Sequence, residues 1–314
     1  MKTVIILLGP TGVGKTGASI TLAKEMNTEI ISADSMQIYR HMDIGTAKPS
    51  KEQRLSVRHY MIDIVEPSEA YSTGRYIAEA VPVIERMHRE GKIPVVVGGT
   101  GLYIRAMTRG LFSGPSSDAE LRRSLLAREG EQEGSLYAYL RQIDPAAAGR
   151  LDRNDIRRII RAIEVCMKSG STISSSQQER TQPLPYDFIK IGLTRERSEL
   201  YTMIDGRVDD MLARGLLDEV RLVLSMNPDR TPLQAIGYKE FVRFLGHEID
   251  LPEAVRLIKR NSRRYAKRQF TWFRQETDIL WVDVTGLHDS RSIAGKIRAA
   301  LRDVPGLRQI PLNN

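Results

Sequence analysis

Residues 9–16 read Gly-Pro-Thr-Gly-Val-Gly-Lys-Thr, which is a complete G-x-x-x-x-G-K-[ST] phosphate-binding loop. The loop follows an apolar run, Val4–Leu8, that predicts a buried strand, and it precedes a helical pattern with small and apolar residues on one face. A strand, a glycine-rich loop and a helix in this order form the P-loop of nucleotide-binding proteins. Backbone N–H groups and the helix N-terminus then make an anion site. The sequence therefore predicts binding of a diphosphate or a triphosphate.

Two side chains of this loop add chemistry of their own. Lys15 supplies a positive charge to phosphate oxygens, and the hydroxyl of Thr16 can ligate Mg²⁺, the expected cofactor. The loop alone leaves open whose phosphate is bound, and whether it is cut, transferred or displaced. The residues expected to bind the phosphates are Gly9, Pro10, Thr11, Gly12, Val13, Gly14, Lys15 and Thr16.

The length, charge and cysteine content of the chain limit the classes of protein to which it can belong. The chain has 314 residues, of which 41% are hydrophobic and 27% charged, enough for a large folded core. Its net charge of +8 suits a polyanionic partner. The single cysteine, Cys166, excludes an internal disulfide and a cysteine-based zinc site. Because no stretch reaches the length of a membrane span, we expect a cytoplasmic protein that does not enter a membrane. Nothing in the sequence suggests an obligate partner, so we expect a monomer.

Further apolar runs alternate with helical patterns such as Thr73–Arg89. This alternation predicts an α/β fold of the P-loop type, with a doubly wound parallel sheet. Ligands of such sheets collect at the carboxyl ends of the strands, so Asp34–Ser35 and Gly98–Gly101 are expected near the loop. The predicted strands are Val4–Leu8, Glu29–Ala33, Ile93–Val97, Phe188–Leu193 and Ile279–Val284.

The strand signal disappears between residues 113 and 186. Helical patterns, including Leu121–Arg128 and Asp155–Met167, fill this segment, and turn residues flank it. We interpret it as a small all-helical domain inserted into the sheet. The core domain would then comprise residues 1–112 and 187–314.

Positive charge is concentrated on helical patterns in both predicted domains. One basic stripe has offsets of three and four residues, no acidic residue between Ala254 and Gln275, and interleaved aromatic residues; it comprises Arg256, Lys259, Arg260, Arg263, Arg264, Lys267 and Arg268. Its charges are expected to be unpaired and to face a partner, although a solvated face is the alternative. The insert carries a second group: Arg150, Arg153, Arg157, Arg158 and Arg161, with Arg122 and Arg123 nearby. Basic surfaces on two lobes suggest that a folded RNA is held between them.

Several longer motifs occur in order along the chain: IISADSMQIY (30–39), MDIGTAKP (42–49), VGGTGLY (97–103), NDIRR (154–158), RAIEV (161–165), AIGYKE (235–240) and AKRQFTWFR (266–274). Together with the loop they resemble the bacterial tRNA dimethylallyltransferase family, also called tRNA isopentenyltransferases. The resemblance implies transfer of a dimethylallyl group from dimethylallyl diphosphate to N6 of the adenosine immediately 3′ of the tRNA anticodon. Pyrophosphate is released.

The resemblance also implies roles for individual residues. Asp34 is the general base for the adenine amine and Thr100 orients that amine, while Lys15 and Arg207 bind the diphosphate. The anticodon stem-loop would be the RNA partner. Implied tRNA contacts are Asp34, Ser35, Met36, Gln37, Thr100, Arg157, Arg158, Arg161, Gln234, Gly237, Tyr238, Lys239, Lys267, Arg268, Gln269, Trp272 and Arg274. The charge pattern, rather than the resemblance, adds Arg122 and Arg123 to the expected tRNA contacts.

Other readings of the residues stay open at this point. An adenylate isopentenyltransferase shares the loop and the chemistry but acts on free AMP or ATP, for which the basic surfaces would be superfluous. A P-loop kinase or NTPase could use Asp34 as a Mg²⁺ ligand, but Asp63 and Asp283 also close apolar runs. The absence of an Asn-Lys-x-Asp motif weighs against a GTPase. A non-catalytic RNA-binding protein would retain the loop without using it.

Overall fold

A computed structural model describes residues 2–112, 114–175 and 182–304. The chain forms two compact units, one of Met1–Ile104 with Pro185–Asn314, the other of Arg105–Leu184. The domain boundaries expected at residues 113 and 186 stay a prediction, and residue 113 lies outside the described residues. Across the described part of the chain, no helix combines the length and apolar character that a bilayer crossing demands.

The larger unit is built on a parallel sheet, which confirms the predicted α/β class. Within the described residues, six strands pair in the order β3-β2-β4-β1-β5-β6, and each pairing is parallel. Because β1 lies between β4 and β5, the loop that follows it opens at the middle of the carboxyl edge. The strands are β1 Thr3–Leu8, β2 Ile30–Ala33, β3 His59–Tyr60, β4 Val95–Gly98, β5 Asp187–Thr194 and β6 Ile279–Asp283.

Helices cover the sheet and form the smaller unit. In chain order they are α1 Lys15–Glu25, α2 Lys51–Ser56, α3 Thr73–Arg89, α4 Gly101–Arg109, α5 Ala119–Glu131, α6 Ser135–Ile143, α7 Pro145–Ala148, α8 Ile156–Ser169, α9 Arg197–Ala213, α10 Leu216–Ser225, α11 Arg230–Leu233, α12 Tyr238–Leu245, α13 Leu251–Phe273 and α14 Ser290–Arg302. The bounds of α3 agree with those predicted. The sequence analysis missed strand β3, because a strand of two residues is too short to show an alternation of apolar and polar side chains.

Two apolar clusters hold the larger unit around the phosphate loop. The first packs β1 and β5 against α1 and α14, with Leu7, Leu22, Ile191 and Ile297 among its buried side chains. The second joins helices α9, α10, α12 and α13 to the segment after β2, through side chains that include buried Tyr39. Together they fix α9 and α13 beside the carboxyl edge of the sheet.

Candidate active site

The phosphate loop connects the central strand to α1 through glycines in left-handed conformations. Gly12 has a φ of +82° and Gly14 a φ of +106°, values that side-chain-bearing residues adopt only with strain. A Cβ on Gly12 would also lie 2.9 Å from Cγ1 of Ile204. The first turn of α1 contains no acidic residue, so nothing there competes with an anion for its unpaired N–H groups.

Lys15 folds back over this loop. Its Nζ donates hydrogen bonds to the carbonyl oxygens of Gly9 and Pro10, each at 2.8 Å. Loss of solvent lowers the pKa of Lys15 to about 7, although the nearby charge of Asp34 raises it; Arg207 lowers it further. An anion bound here would favour the charged form and restore a higher pKa.

Arg207 brings a second positive charge to the loop from α9. Its Nη1 donates to Oγ1 of Thr11 at 3.3 Å. Burial lowers the pKa of Arg207 and Asp34 opposes that shift, but a guanidinium stays protonated in proteins. The loop is thus faced by two cations from separate elements.

Asp34 and Thr100 follow neighbouring strands, and their loops are bonded together. Oδ1 of Asp34 accepts hydrogen bonds from the backbone N–H of Met36 at 2.9 Å and of Gln37 at 3.3 Å. Oγ1 of Thr100 accepts from the N–H of Ser35 at 3.0 Å, and the N–H of Thr100 donates to the carbonyl of the last residue of β2 at 3.1 Å. The orientation of the carboxylate is therefore set by backbone.

Gln269 of α13 bridges the phosphate loop and the loop after β4. Its Oε1 accepts from the N–H of Thr11, and its Nε2 donates to the carbonyl of Gly99, each at 2.9 Å. The side chain is buried, and a Cβ on Gly99 would lie 2.2 Å from Nε2. The sequence analysis did not predict this bridge. The resemblance implied only that Gln269 contacts tRNA, and no sequence pattern identifies a glutamine that links two loops.

Two cavities meet at these residues. The phosphate cavity, of about 300 Å³, is lined by the loop from Thr11 to Thr16, by Asp34 and by Gln269. The outer cavity, also of about 300 Å³, is lined by residues of the implied tRNA contacts, namely Ser35, Met36, Gln234, Gly237, Lys239 and Arg268. Both cavities are lined by Thr11, Asp34, Thr46, Arg207 and Tyr265. The residues expected to bind phosphate and those expected to bind RNA therefore converge on Asp34.

Other residues of these walls escaped the sequence reasoning. Thr46 lies in a quoted motif without an assigned role, and Tyr265 was grouped with the aromatic residues of the stripe. Met203 and His59 also line the phosphate cavity, and neither carries a motif that could have identified it. Burial lowers the pKa of His59, whose Nδ1 lies 2.7 Å from the carbonyl oxygen of Val57.

The oxygen donors of the phosphate cavity fit a magnesium ion. Thr16 and Asp34 both line this cavity. Asp63 is paired with Lys48 and Arg54, and Asp283 bonds the hydroxyl of Thr285. No group of three or more His, Cys, Asp or Glu residues that could hold a metal occurs among the described residues. A hydroxyl with a single carboxylate suits Mg²⁺, which keeps waters and uses substrate phosphate oxygens.

Glu219 organises the wall that carries Thr46. Its carboxylate accepts hydrogen bonds from the N–H of Asp43, Ile44 and Gly45, at 2.8, 2.7 and 2.9 Å. The hydroxyl of Tyr238 donates to the same carboxylate at 2.5 Å. Tyr238 as a whole has no exposed surface, so the tRNA contact implied for this residue is not accessible in this conformation.

The basic stripe on α13 is partly neutralised, contrary to the expectation that its charges are unpaired. Glu253 pairs with Arg256 at 2.6 Å, one turn away on the same helix. Asp209 and Asp205 of α9 pair with Lys259 at 2.6 Å and with Arg263 at 2.5 Å, respectively. The sequence could not reveal this because the two acids lie on a different helix. Arg264, Lys267 and Arg268 are exposed, as is the paired Arg256.

Most of the interleaved aromatic residues serve packing. Phe273 is buried, and Phe270 lies against Trp281 with ring centroids 5.5 Å apart. Trp272 packs on Gly101, where an added Cβ would lie 2.4 Å from Cδ2 of the indole. Arg274 is exposed, with its guanidinium 4.5 Å from the ring centre of Phe270.

In the helical unit, two of the arginines expected to bind tRNA, Arg122 and Arg161, hold a buried acid. Glu164 has no exposed surface and accepts hydrogen bonds from Arg122 at 2.8 and 3.0 Å and from Arg161 at 2.6 Å. These bonds outweigh burial and lower the pKa of Glu164 to about 2. Arg158 lies 3.3 Å from Asp155 and is largely exposed, as are Arg123 and Arg157.

Comparison with known proteins agrees with this arrangement. The sequence model of the IPP transferase family matches residues 37–276. A tRNA dimethylallyltransferase of Thermodesulfovibrio yellowstonii is 53% identical over 96% of this chain and 98% of its own length. A tRNA dimethylallyltransferase of Halothermothrix orenii is 48% identical over 96% of this chain and 93% of its own length.

Solved structures agree as well. A tRNA isopentenylpyrophosphate transferase of Bacillus halodurans is 40% identical with a TM-score of 0.69, covering 96% of this chain and 98% of that one. A eukaryotic dimethylallyltransferase caught acting on tRNA is 32% identical, with a TM-score of 0.82. The match covers 96% of this chain and 79% of that one. The family expected from the motifs is thus confirmed: the chain belongs to the IPP transferases.

Proposed function

We propose that the chain is a tRNA dimethylallyltransferase, which transfers the prenyl group of dimethylallyl diphosphate to N6 of the adenosine immediately 3′ of the anticodon. One observation carries this proposal: a phosphate cavity and a cavity lined by the implied tRNA contacts share Asp34. The names of the relatives support it against the adenylate-specific and NTPase readings. The substrate also favours a cytoplasmic location, where tRNA is found.

The leaving group is held by the phosphate loop. As the bond between C1 of the donor and its diphosphate oxygen breaks, negative charge grows on the departing pyrophosphate. Lys15, Arg207 and the backbone N–H groups of the loop stabilise this charge. One such preorganised donor contributes about 3 kcal/mol in comparable sites.

The acceptor amine is activated at the shared wall. The exocyclic nitrogen of adenine is a weak nucleophile, so it must lose a proton as the bond from N6 to C1 forms. The carboxylate of Asp34 takes that proton, and the hydroxyl of Thr100, tied to the Asp34 loop through Ser35, orients the amine. The base has to leave the anticodon-loop stack to reach this position.

Mg²⁺ would be held by the hydroxyl of Thr16, with Asp34 lining the same cavity. When bound, the ion supplies further neutralisation of the diphosphate charge. The loop carries the remaining positive charge through Lys15 and Arg207. Removal of Mg²⁺ should therefore weaken donor binding without removing the base.

The test is a mass measurement on defined substrates. Protein, Mg²⁺, dimethylallyl diphosphate and an anticodon stem-loop should yield RNA heavier by one prenyl unit. The matched control carries inosine in place of the acceptor adenosine, because inosine lacks the N6 amine. Prenylation of AMP but not of RNA would overturn the proposal in favour of an adenylate transferase. Hydrolysis of ATP at enzymatic rates without prenyl transfer would favour an NTPase.

A further inference from the structure

A third cavity, of about 380 Å³, lies against the same helix as the outer cavity but on its other side. We call it the rear cavity. Ile258, Ser262, Tyr265 and Arg268 of α13 line the outer cavity, whereas Lys267, Phe270, Thr271 and Arg274 line the rear one. At about 100° per residue, these two sets point to roughly opposite faces of the helix. Helix α13 therefore forms a wall between the two cavities.

The rear cavity combines aromatic surface with positive charge. Arg197 lies 5.1 Å from the ring centre of Tyr201, and Arg274 lies 4.5 Å from that of Phe270. Lys267 adds a third exposed cation to the lining. None of the described residues that line this cavity is acidic. Rings flanked by cations are how proteins bind the bases and phosphates of single-stranded nucleic acid.

A basic crest joins the two cavities over the helix. Arg264, Lys267 and Arg268 are exposed and fall on the arc between the two lining faces. An α-helix with its side chains is about 10–12 Å across, a width that a few nucleotides of an extended strand can span. Phosphates of a strand that crosses here would meet these cations.

We propose that the rear cavity binds a second nucleotide of the anticodon loop, close in sequence to the acceptor adenosine. Its base stacks on Tyr201 or Phe270, and its phosphate contacts Arg197 or Arg274. The inference rests on the proposed function, because it takes the outer cavity as the entry of the acceptor base. Five residues that line the rear cavity belong to the quoted motif of residues 266–274, whereas Arg197 and Tyr201 lie outside every quoted motif and are the new part of the proposed pocket.

Stem-loop binding to the full chain, followed by fluorescence anisotropy, tests the pocket. Tyr201→Leu should raise the Kd for the stem-loop about 5- to 150-fold, the range measured for stacking of one base. Tyr201→Phe keeps the ring and should recover most of that loss. Arg197→Gln with Arg274→Gln should also weaken binding, whereas Arg214→Gln, an exposed arginine at the end of the same helix as Arg197, serves as the control for charge.

A series of stem-loops, each with one abasic loop position other than the acceptor, identifies the nucleotide. One abasic site should weaken binding to the wild type as much as Tyr201→Leu does, and combining the two should add little. Additive losses at every position would overturn the inference, and so would Tyr201→Leu binding as tightly as the wild type. Weakened binding of AMP without weakened RNA binding would instead indicate a site for a free nucleotide. Prenylation of the stem-loop by the wild type, measured in parallel, separates failure of this inference from failure of the proposed function.

Discussion

The side-chain oxygen of Gln269 accepts a hydrogen bond from the backbone N–H of Thr11 at 2.9 Å, across 258 positions of the sequence. Because the same amide donates to Gly99, one side chain holds the loop that receives the donor and the loop that precedes Thr100. Gln269 sits on α13 and directly follows Lys267 and Arg268 of the crest. A displacement of this helix on RNA binding would reach both loops through that amide.

Replacement of Gln269 tests the bridge. Gln269→Glu keeps an acceptor for Thr11 but places a carboxylate against the carbonyl of Gly99, where a donor is needed. A buried polar group left unpaired costs about 1–3 kcal/mol, so kcat/KM should fall roughly 5- to 150-fold. Steady-state kinetics with each substrate varied in turn measures this. Equal kinetics for variant and wild type would show that the bridge does not support catalysis.

Asp34→Asn should abolish most of the turnover while RNA binding survives. The amide oxygen can still accept the hydrogen bonds that Met36 and Gln37 donate to Oδ1, so the loop should keep its shape. The loss of a positioned base costs about 10²- to 10⁴-fold in rate. Single-turnover prenyl transfer reports the rate, and stem-loop anisotropy reports binding. Turnover at the wild-type rate would remove Asp34 from the role of base.

Affinity for pyrophosphate should decline as the pH rises above 7. Lys15 has its pKa lowered to about 7, so above that pH the free loop must take up a proton before an anion meets a charged lysine. Below pH 7 the lysine is already protonated and the affinity should level off. Calorimetry in buffers of different ionisation enthalpy would detect the proton uptake. Lys15→Met, titrated identically, corrects for protonation of pyrophosphate itself; identical pH slopes in both proteins would contradict the prediction.

Neutralising the crest should flatten the salt dependence of RNA binding. Arg264→Gln with Lys267→Gln removes two exposed cations, so the slope of log K against log salt should fall by about 1 to 2. The matched control is Glu253→Gln with Arg256→Gln, which removes a charge pair from the same helix and should leave the slope in place. Stem-loop titrations at several salt concentrations decide between the two outcomes. If the crest variant and the wild type show the same slope, the crest is a solvated face that does not contact RNA.

Glu164→Gln should destabilise the protein near neutral pH by about 2–3 kcal/mol, because Arg122 and Arg161 lose a buried anionic partner. The folded-state pKa of Glu164 is lowered to about 2. Its contribution is therefore present above the ordinary glutamate pKa and is lost as the pH falls towards 2. Urea unfolding at pH 7 and pH 3 should show the gap between variant and wild type narrowing in acid. Asp218→Asn, which breaks an exposed pair with Arg221, should change stability little.

The sequence was sufficient for the features that repeat locally. Apolar runs and helical periodicity located α3 and five of the strands, with shifts of a residue or two at their ends, because each pattern reports burial of its own segment. Motif order supplied the family. Long-range pairs could not be predicted from the sequence. No residue near Glu219 indicates that its carboxylate binds the backbone of Asp43–Gly45, and no residue near Arg263 indicates its ion pair with Asp205. The same limit hid Gln269, since its two partners, Thr11 and Gly99, follow different strands that only the fold brings together.

The ion pairs that α13 forms, within itself and with α9, also bear on how the protein would discriminate among RNAs. A cation that is already held by a carboxylate neutralises a phosphate less effectively, so it displaces fewer of the counterions condensed on the RNA and adds less to sequence-independent attraction. Arg256, Lys259 and Arg263 are held in this way, which leaves the attraction to the crest and to the few cations around the cavities. A cellular RNA that merely carries phosphates would then be retained weakly. Under the proposed function, residence on the enzyme would depend instead on a nucleotide leaving its stack, so discrimination would rest on the flexibility of the anticodon loop rather than on charge.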